Sequence, residues 1–138
     1  MKENNSFGYM AETEFFALMT HHIDKSFIDY HPNDIFDYTI RSSSGKEVYL
    51  DVKSTEVSHA FTNSKAKNKQ YKIGRFLLSD SQIGKNFHIA LYIRYKTRFL
   101  FLGIIHSSLF KGSKYLSLHA LKRTEPIEIE DFLLGLEV

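Results

Sequence analysis

The stretch YLDVKST, residues 49–55, decides how this chain is interpreted, because it combines the pattern of a β-strand with two charged side chains. Side chains in a strand alternate between the two faces of a sheet, so Asp51 and Lys53 point to the same face as Tyr49. The apolar residues between them fill the opposite face. A carboxylate and an ammonium therefore lie side by side on a strand that is otherwise built for burial.

A helix is predicted before this strand, in residues 7–23. Asn5 or Ser6 is expected to cap its start. Glu12 borders the apolar stripe of this helix, so it lies at the edge of the buried face. The stripe consists of residues that recur at helical spacing: Met10, Ala11, Phe15, Phe16, Leu18 and Met19.

The other elements are predicted from alternation and turn residues. Residues 35–41 and 47–55 form a hairpin through the turn SSSGK, and residues 56–70 form a long polar loop. The remaining strands are expected at 71–79, 88–96, 98–106, 115–121 and 126–130, with a short helix at 79–87 and a closing turn of helix at 131–136. This order indicates an α/β fold, with a mixed β-sheet flanked by an N-terminal helix and a short second helix.

Length and composition favour one soluble domain covering residues 1–138. The chain has no cysteine, which excludes disulfides, thiolate metal sites and cysteine nucleophiles and fits a reducing cytoplasm. No apolar run is long enough for a membrane span, and the polar start MKENNS is unlike a signal peptide.

Charge is distributed unevenly along the chain. Residues 1–63 carry five Lys/Arg and ten Asp/Glu, whereas residues 64–98 carry nine Lys/Arg and one Asp. An acidic half followed by a basic segment suits a carboxylate site that faces a polyanion, although a solvated lysine-rich loop has the same composition. The candidate phosphate contacts are Lys65, Lys67, Lys69, Lys72, Arg75, Arg94, Lys96 and Arg98.

A second carboxylate is expected near Asp51. Asp37 opens the preceding strand, and across a hairpin it can face the same side as Asp51. Two carboxylates with a backbone carbonyl and waters make a hard oxygen site suited to Mg²⁺ or Mn²⁺. Lys53 could hold an attacking water and offset charge on a phosphate. Asp34 is the alternative to Asp37, but it lies in the preceding turn.

These pieces together resemble the PD-(D/E)XK nuclease superfamily, whose fold is restriction-endonuclease-like. The matching stretches are GYMAETEFF, FDYTI, YLDVKST and FLLSDSQIG, which occur in the family's order over about residues 7–95. The residue before Asp37 is Phe36 where the family motif has proline. The resemblance implies that Asp37, Asp51 and the Val52 carbonyl bind metal. It also implies that Lys53 is the catalytic lysine, that Glu12 is an additional acid, and that Gln82 is a polar accessory near the phosphate.

The resulting expectation is a Mg²⁺-dependent DNA endonuclease, structure-selective or weakly sequence-specific, of the junction-resolving or the restriction and defence type. Cutting two strands calls for a homodimer, with exposed Phe and Leu side chains after residue 98 at the interface, or a specificity partner on another chain. The alternative is a catalytically silent nucleic-acid-binding or protein-docking subunit. Locally, Asp51 and Lys53 could form an exposed ion pair, Glu12 a polar helix edge, and Gln82 a capping box with Ser79.

Overall fold

The computed structural model describes residues 2–31, 34–60, 70–95, 98–121 and 125–136. The two α-helices are α1 (Lys2–Thr20) and α2 (Ile129–Leu136). The strands are β1 (Ile28–Tyr30), β2 (Tyr38–Arg41), β3 (Glu47–Ala60), β4 (Gln70–Ile73), β5 (Arg75–Leu77), β6 (His88–Tyr95), β7 (Arg98–His106) and β8 (Tyr115–Ser117).

The main sheet is mixed, and its strand order is β1-β2-β3-β6-β7. β3 is antiparallel to β2 and parallel to β6, and β7 returns antiparallel to β6. The distal part of β3, from Val57 to Ala60, pairs instead with β4. A separate two-stranded sheet joins β5 and β8. The α/β class with a mixed sheet is therefore confirmed.

Apolar side chains cover both faces of the main sheet. On one face, α1 buries Ala11, Phe15 and Met19 completely against β2, β3 and β6, and α2 adds Phe132. On the other face, β5 and β8 pack over a cluster that includes Phe76, Leu91 and Leu116. Odd-numbered residues of β3 near Asp51 face this second layer, and even-numbered residues such as Leu50 face α1.

Two glycines allow close approaches that fix this arrangement. At Gly74, between β4 and β5, an added Cβ would lie 1.9 Å from Thr55 Oγ1. Gly103 in β7 has a φ of +131°, and an added Cβ would lie 2.8 Å from the Ile127 carbonyl oxygen. The pairing register shifts beside Gly103, where β7 carries one extra residue opposite β6. Such bulges commonly contain glycine, which tolerates a positive φ.

Several expected elements differ in the structure. Residues 79–87 form a turn rather than the short second helix, which is instead α2 near the C-terminal end. The predicted strand 71–79 is divided at Gly74 into β4 and β5, which belong to different sheets. Residues 56–60, expected to be loop, continue β3. The strand expected at 115–121 ends at Ser117, and only Ile127 of the strand expected at 126–130 pairs, as an isolated bridge with Ile104.

Individual side chains also differ from expectation. Met10 is 51% exposed and does not belong to the buried stripe of α1. That helix begins at Lys2, so Asn5 and Ser6 lie within its first turns rather than at its cap. Phe99 and Phe101, expected to be exposed, are partly buried against the core, whereas Leu100 between them is 57% exposed. In the described part of the chain, neither helix has the length and apolarity required to cross a bilayer.

Candidate active site

The DxK segment lies just past the β2 pairing, where β3 has β6 on one side and the residue before β2 on the other. Asp51 is 4% exposed, and its Oδ2 lies 3.0 Å from the Lys53 Nζ. The two side chains share a face of the strand, as its alternation predicts. A carboxylate this deeply buried requires compensation from nearby charges and donors, and Lys53 supplies part of it.

Asp37 immediately precedes β2 and is bound to the DxK segment by two reciprocal hydrogen bonds. The Asp37 N–H donates to Asp51 Oδ1 over 3.1 Å, and the Val52 N–H donates to Asp37 Oδ2 over 2.8 Å. The register Tyr38↔Leu50 brings the residue before β2 beside the residues after Leu50. The carboxyl groups of Asp37 and Asp51 are therefore neighbours and do not point to opposite sides of the sheet.

The Val52 carbonyl also points toward the side of β3 on which Asp37 lies. In a strand, the N–H and C=O of one residue point to the same side, which is why antiparallel partners exchange both bonds. The Val52 N–H points to Asp37, and β2 begins only at Tyr38, so the Val52 carbonyl faces the space beyond the start of β2. A third hard oxygen donor thus lies beside the two aspartates.

Glu12 approaches Asp37 and Asp51 from α1. Its Oε1 accepts a hydrogen bond from the Tyr30 hydroxyl at 3.3 Å, and its backbone carbonyl accepts one from the Tyr38 hydroxyl at 2.9 Å. Its carboxylate is also within hydrogen-bonding reach of Asp37, and it feels the charges of Asp51 and Lys53. Acids from α1, from the residue before β2 and from β3 therefore converge.

The crowding of acids controls their protonation. Burial raises the pKa of Asp37 to about 8, and the negative charges of Asp51 and Glu12 add to that increase, while the hydrogen bond from Val52 opposes it. Burial is also the main reason that the pKa of Glu12 is raised. Neighbouring negative charges disfavour the simultaneous ionisation of these carboxyl groups. The cluster therefore needs a proton or a cation.

The donor set fits a hard divalent cation. Two carboxylates and a carbonyl supply only oxygen, which Mg²⁺ and Mn²⁺ prefer. Among the described residues, no group of three or more His, Asp or Glu side chains is already arranged as a metal site. Magnesium commonly uses one or two carboxylates and completes its coordination with waters and substrate phosphate. Asp37 and Asp51 supply the two carboxylates that this mode uses.

Gln82 supports the segment that precedes Asp37 and does not belong to the acid cluster itself. Its side chain is 3% exposed; Nε2 donates to the Ile35 carbonyl at 2.7 Å, and Oε1 accepts from the Ser79 N–H at 3.1 Å. The bond to Ser79 is half of the capping box considered for this stretch, although no helix follows. A side chain so buried and so engaged does not reach a phosphate, so Gln82 is a positioning residue for the segment that leads into Asp37.

Asp34 is not brought to the cluster. Its Oδ1 accepts a hydrogen bond from the neighbouring Ile35 N–H at 2.7 Å. It lines a separate surface cavity with Asp29 and His31. Asp37 is accordingly the carboxylate that meets Asp51.

The basic residues fall into three groups. Lys65, Lys67, Lys69 and Lys96 lie outside the described residues, and Lys72 is described only as part of the β4 backbone. Arg94 forms an ion pair with Glu56 at 3.3 Å, and Arg98 is exposed at the start of β7. Arg75 lies over the Tyr115 ring, 4.1 Å from its centroid, on the small sheet.

Two site residues were not predicted from the sequence. Tyr30 and Tyr38 pair across β1 and β2 and hold Glu12 through their hydroxyls. β1 has only three residues, so the short segment IDY has no alternation long enough to identify it.

Comparison with protein-family models, with curated proteins and with solved structures gave no significant match.

Proposed function

We propose that this protein is a metal-dependent nuclease that hydrolyses phosphodiester bonds in DNA, with a restriction-endonuclease-like core. One observation carries the proposal: the Asp37 N–H donates to the Asp51 carboxylate and the Val52 N–H donates to the Asp37 carboxylate, with the Lys53 Nζ 3.0 Å from Asp51 Oδ2. A purely structural sheet gains nothing from placing a half-buried carboxylate, Asp37, against a buried one, Asp51. The order of Glu12, Asp37 and the DxK strand supports the same assignment.

Each residue has a role that its position supports. Asp37, Asp51 and the Val52 carbonyl would hold Mg²⁺ or Mn²⁺, and Glu12 would complete or support that site. The ion, when bound, would polarise a phosphate oxygen and lower the pKa of a bound water. The Lys53 ammonium, held by Asp51, would orient the attacking water and offset charge that develops on the phosphate. Gln82 keeps the segment before Asp37 in place.

The sheet also supports a path for the nucleic acid. Arg98 is the register partner of Tyr95, about six residues along the strands from Asp51 and on the same face of the sheet. At about 3.3 Å per residue, that separation is roughly 20 Å, or about six nucleotide steps of a strand. Arg98 would therefore contact phosphates several nucleotides from the cut, independently of sequence. Arg94 lies on the opposite face, with Tyr92.

Cleavage assays test the proposal. Plasmid, linear duplex, four-way-junction, single-stranded and RNA substrates would be incubated with Mg²⁺, Mn²⁺ or EDTA. We expect metal-dependent cutting of DNA by the wild type, at least about 100-fold less by Lys53→Ala, and unchanged cutting by Lys46→Ala. Lys46 is an exposed lysine in the turn before β3, so it controls for loss of charge.

Cutting that persists in Lys53→Ala, or no cutting of any substrate, would overturn the enzyme assignment. Metal-independent binding without cutting would identify the alternative, a nucleic-acid-binding subunit of the same fold. Cutting of RNA but not of DNA would change the proposed substrate from DNA to RNA.

A further inference from the structure

A cavity of about 240 Å³ adjoins the acid cluster between α1 and the β1–β2 edge. We name it the tyrosine pocket. It is lined by Tyr9, Glu12, Thr13, Phe16, Tyr30 and Tyr38. Four of these six side chains are aromatic rings, and the carboxylate of Glu12 is also within hydrogen-bonding reach of Asp37. Glu12 therefore belongs to both the acid cluster and the pocket.

The pocket has an aromatic floor and an exposed rim. Tyr38 is 2% exposed and stacks on Phe16 with ring centroids 6.0 Å apart, and the Tyr30 ring lies 5.2 Å from that of Tyr38. Tyr9 and Tyr30 form the rim and are 62% and 42% exposed. Exposed tyrosines beside a buried aromatic floor offer flat surfaces for a planar ligand.

Its polar groups disfavour an anionic group and can accept hydrogen bonds from the edge of a ligand. The Tyr30 hydroxyl and the Glu12 carboxylate meet at one side of the pocket. Glu12 is the only charged residue among the described residues that line it. A phosphate would be repelled there, whereas a nucleobase combines a π-face for the rings with an edge that can donate to Glu12.

We propose that the tyrosine pocket receives an unstacked nucleobase of the DNA strand whose phosphate lies at Asp37 and Asp51. This inference rests on the proposed function and specifies its substrate class. A base within a continuous duplex is stacked on both sides and cannot enter the pocket without being extruded. Substrates with an unpaired nucleotide beside the cleavage position, at a branch, a flap or a single strand, are therefore preferred.

A fluorescence experiment in EDTA tests the pocket without requiring catalysis. A short single strand with one 2-aminopurine is titrated with wild type, Tyr9→Ala, Tyr30→Ala and Met10→Ala at low salt. Met10 is the matched control because it neighbours Tyr9 on α1 and is 51% exposed but does not line the pocket. Alanine is the most favourable helix residue, so neither substitution in α1 weakens the helix.

We expect quenching of the 2-aminopurine on binding to wild type and to Met10→Ala. Affinity should fall about 5- to 150-fold in Tyr9→Ala and Tyr30→Ala, which is the range for removing one aromatic stacking partner. Tyr30→Phe should retain most of the stacking. In Mg²⁺, the same tyrosine variants should lose discrimination between branched DNA and continuous duplex, while Met10→Ala keeps it.

Equal affinities of Tyr9→Ala, Tyr30→Ala and Met10→Ala would overturn the pocket, even if cleavage by the wild type is normal. A dimer that dissociates in Tyr9→Ala would also overturn it, because a second copy would then cover the pocket. Quenching that depends on the tyrosines in a protein that cuts no DNA would support the pocket and refute the nuclease. Failure of the pocket proposal can therefore be distinguished from failure of the nuclease proposal.

Discussion

At the scale of single residues, the central feature is a carboxyl group whose surroundings oppose its ionisation. Asp37 lies beside Asp51 and within reach of Glu12, and burial raises its pKa to about 8. The sequence predicted that Asp37 and Asp51 meet, because strand alternation and hairpin pairing follow from local pattern, whereas the position of Glu12 was implied only by the resemblance. Gln82 could not be assigned from the pattern, because its partner, the Ile35 carbonyl, is 47 residues away in the chain.

Asp37 makes the stability of the metal-free protein depend on pH. Between the ordinary value of 3.8 and about 8, the folded state keeps a proton on Asp37 that the unfolded state has lost. The folded state then binds more protons, so the free energy of unfolding falls as pH rises through this window. We expect Asp37→Asn to remove part of that fall and to be more stable than the wild type above the window.

Urea unfolding in EDTA across this pH range measures the effect. Asp80→Asn is the control, because the Asp80 side chain is 90% exposed. Parallel pH profiles for wild type and Asp37→Asn would contradict the assignment of a raised pKa to Asp37.

At the scale of elements, the fold depends on where glycine permits a close approach. The main strands were predicted because β-branched and aromatic residues alternate over long runs. The strand expected at 71–79 was divided because Gly74 lets the chain leave β4 against Thr55 and enter a different sheet. Residues 79–87 formed only a turn, which ends at Gly84 with a φ of +80° and in which Gln82 is fixed to the distant Ile35 carbonyl. Such tertiary constraints are absent from local pattern.

Gly103 gives a test at this scale. Gly103→Ala would force a side chain into a backbone with φ +131° and within 2.8 Å of the Ile127 carbonyl oxygen. We expect the free energy of unfolding to fall by about 1–3 kcal/mol, the usual cost of such strain. Gly135→Ala in α2 meets no atom within 4 Å, so it should instead stabilise the protein by roughly 0.5–1 kcal/mol.

Denaturant unfolding of both variants separates strain from the general effect of replacing glycine. A Gly103→Ala variant as stable as the wild type would mean that the bulge and the Ile104–Ile127 bridge do not constrain this position.

At the scale of the whole molecule, the acid corner and the basic strand ends lie along one sheet. Arg94 and Arg98 belong to the β6–β7 hairpin, and Arg41 lies toward the opposite edge, in β2. The uneven charge of the sequence predicted only in outline that basic residues lie apart from the acids. Strand register decides how far each arginine lies from Asp51. The homodimer stays a prediction, with Leu100 as the exposed apolar residue on edge strand β7.

Salt dependence tests the proposed phosphate contacts. Arg98→Ala should weaken DNA binding similarly for all sequences and lower the slope of log affinity against log salt by about 0.7–0.9, the value for one lost contact. Arg41→Ala, which removes an arginine paired with Asp29 on β1, should leave the slope unchanged. Fluorescence anisotropy at several salt concentrations gives both slopes, and equal slopes for the two variants would exclude Arg98 from the DNA path.

The most direct test of the site is binding of Mn²⁺, followed by its electron paramagnetic resonance signal at neutral pH. We predict one saturable site per chain, with proton release as the ion displaces the proton of Asp37. Asp37→Asn and Asp51→Asn should each weaken binding by more than about tenfold, while Asp80→Asn should not. Mn²⁺ affinity that is unchanged in both site variants, or no saturable binding by the wild type, would contradict the account.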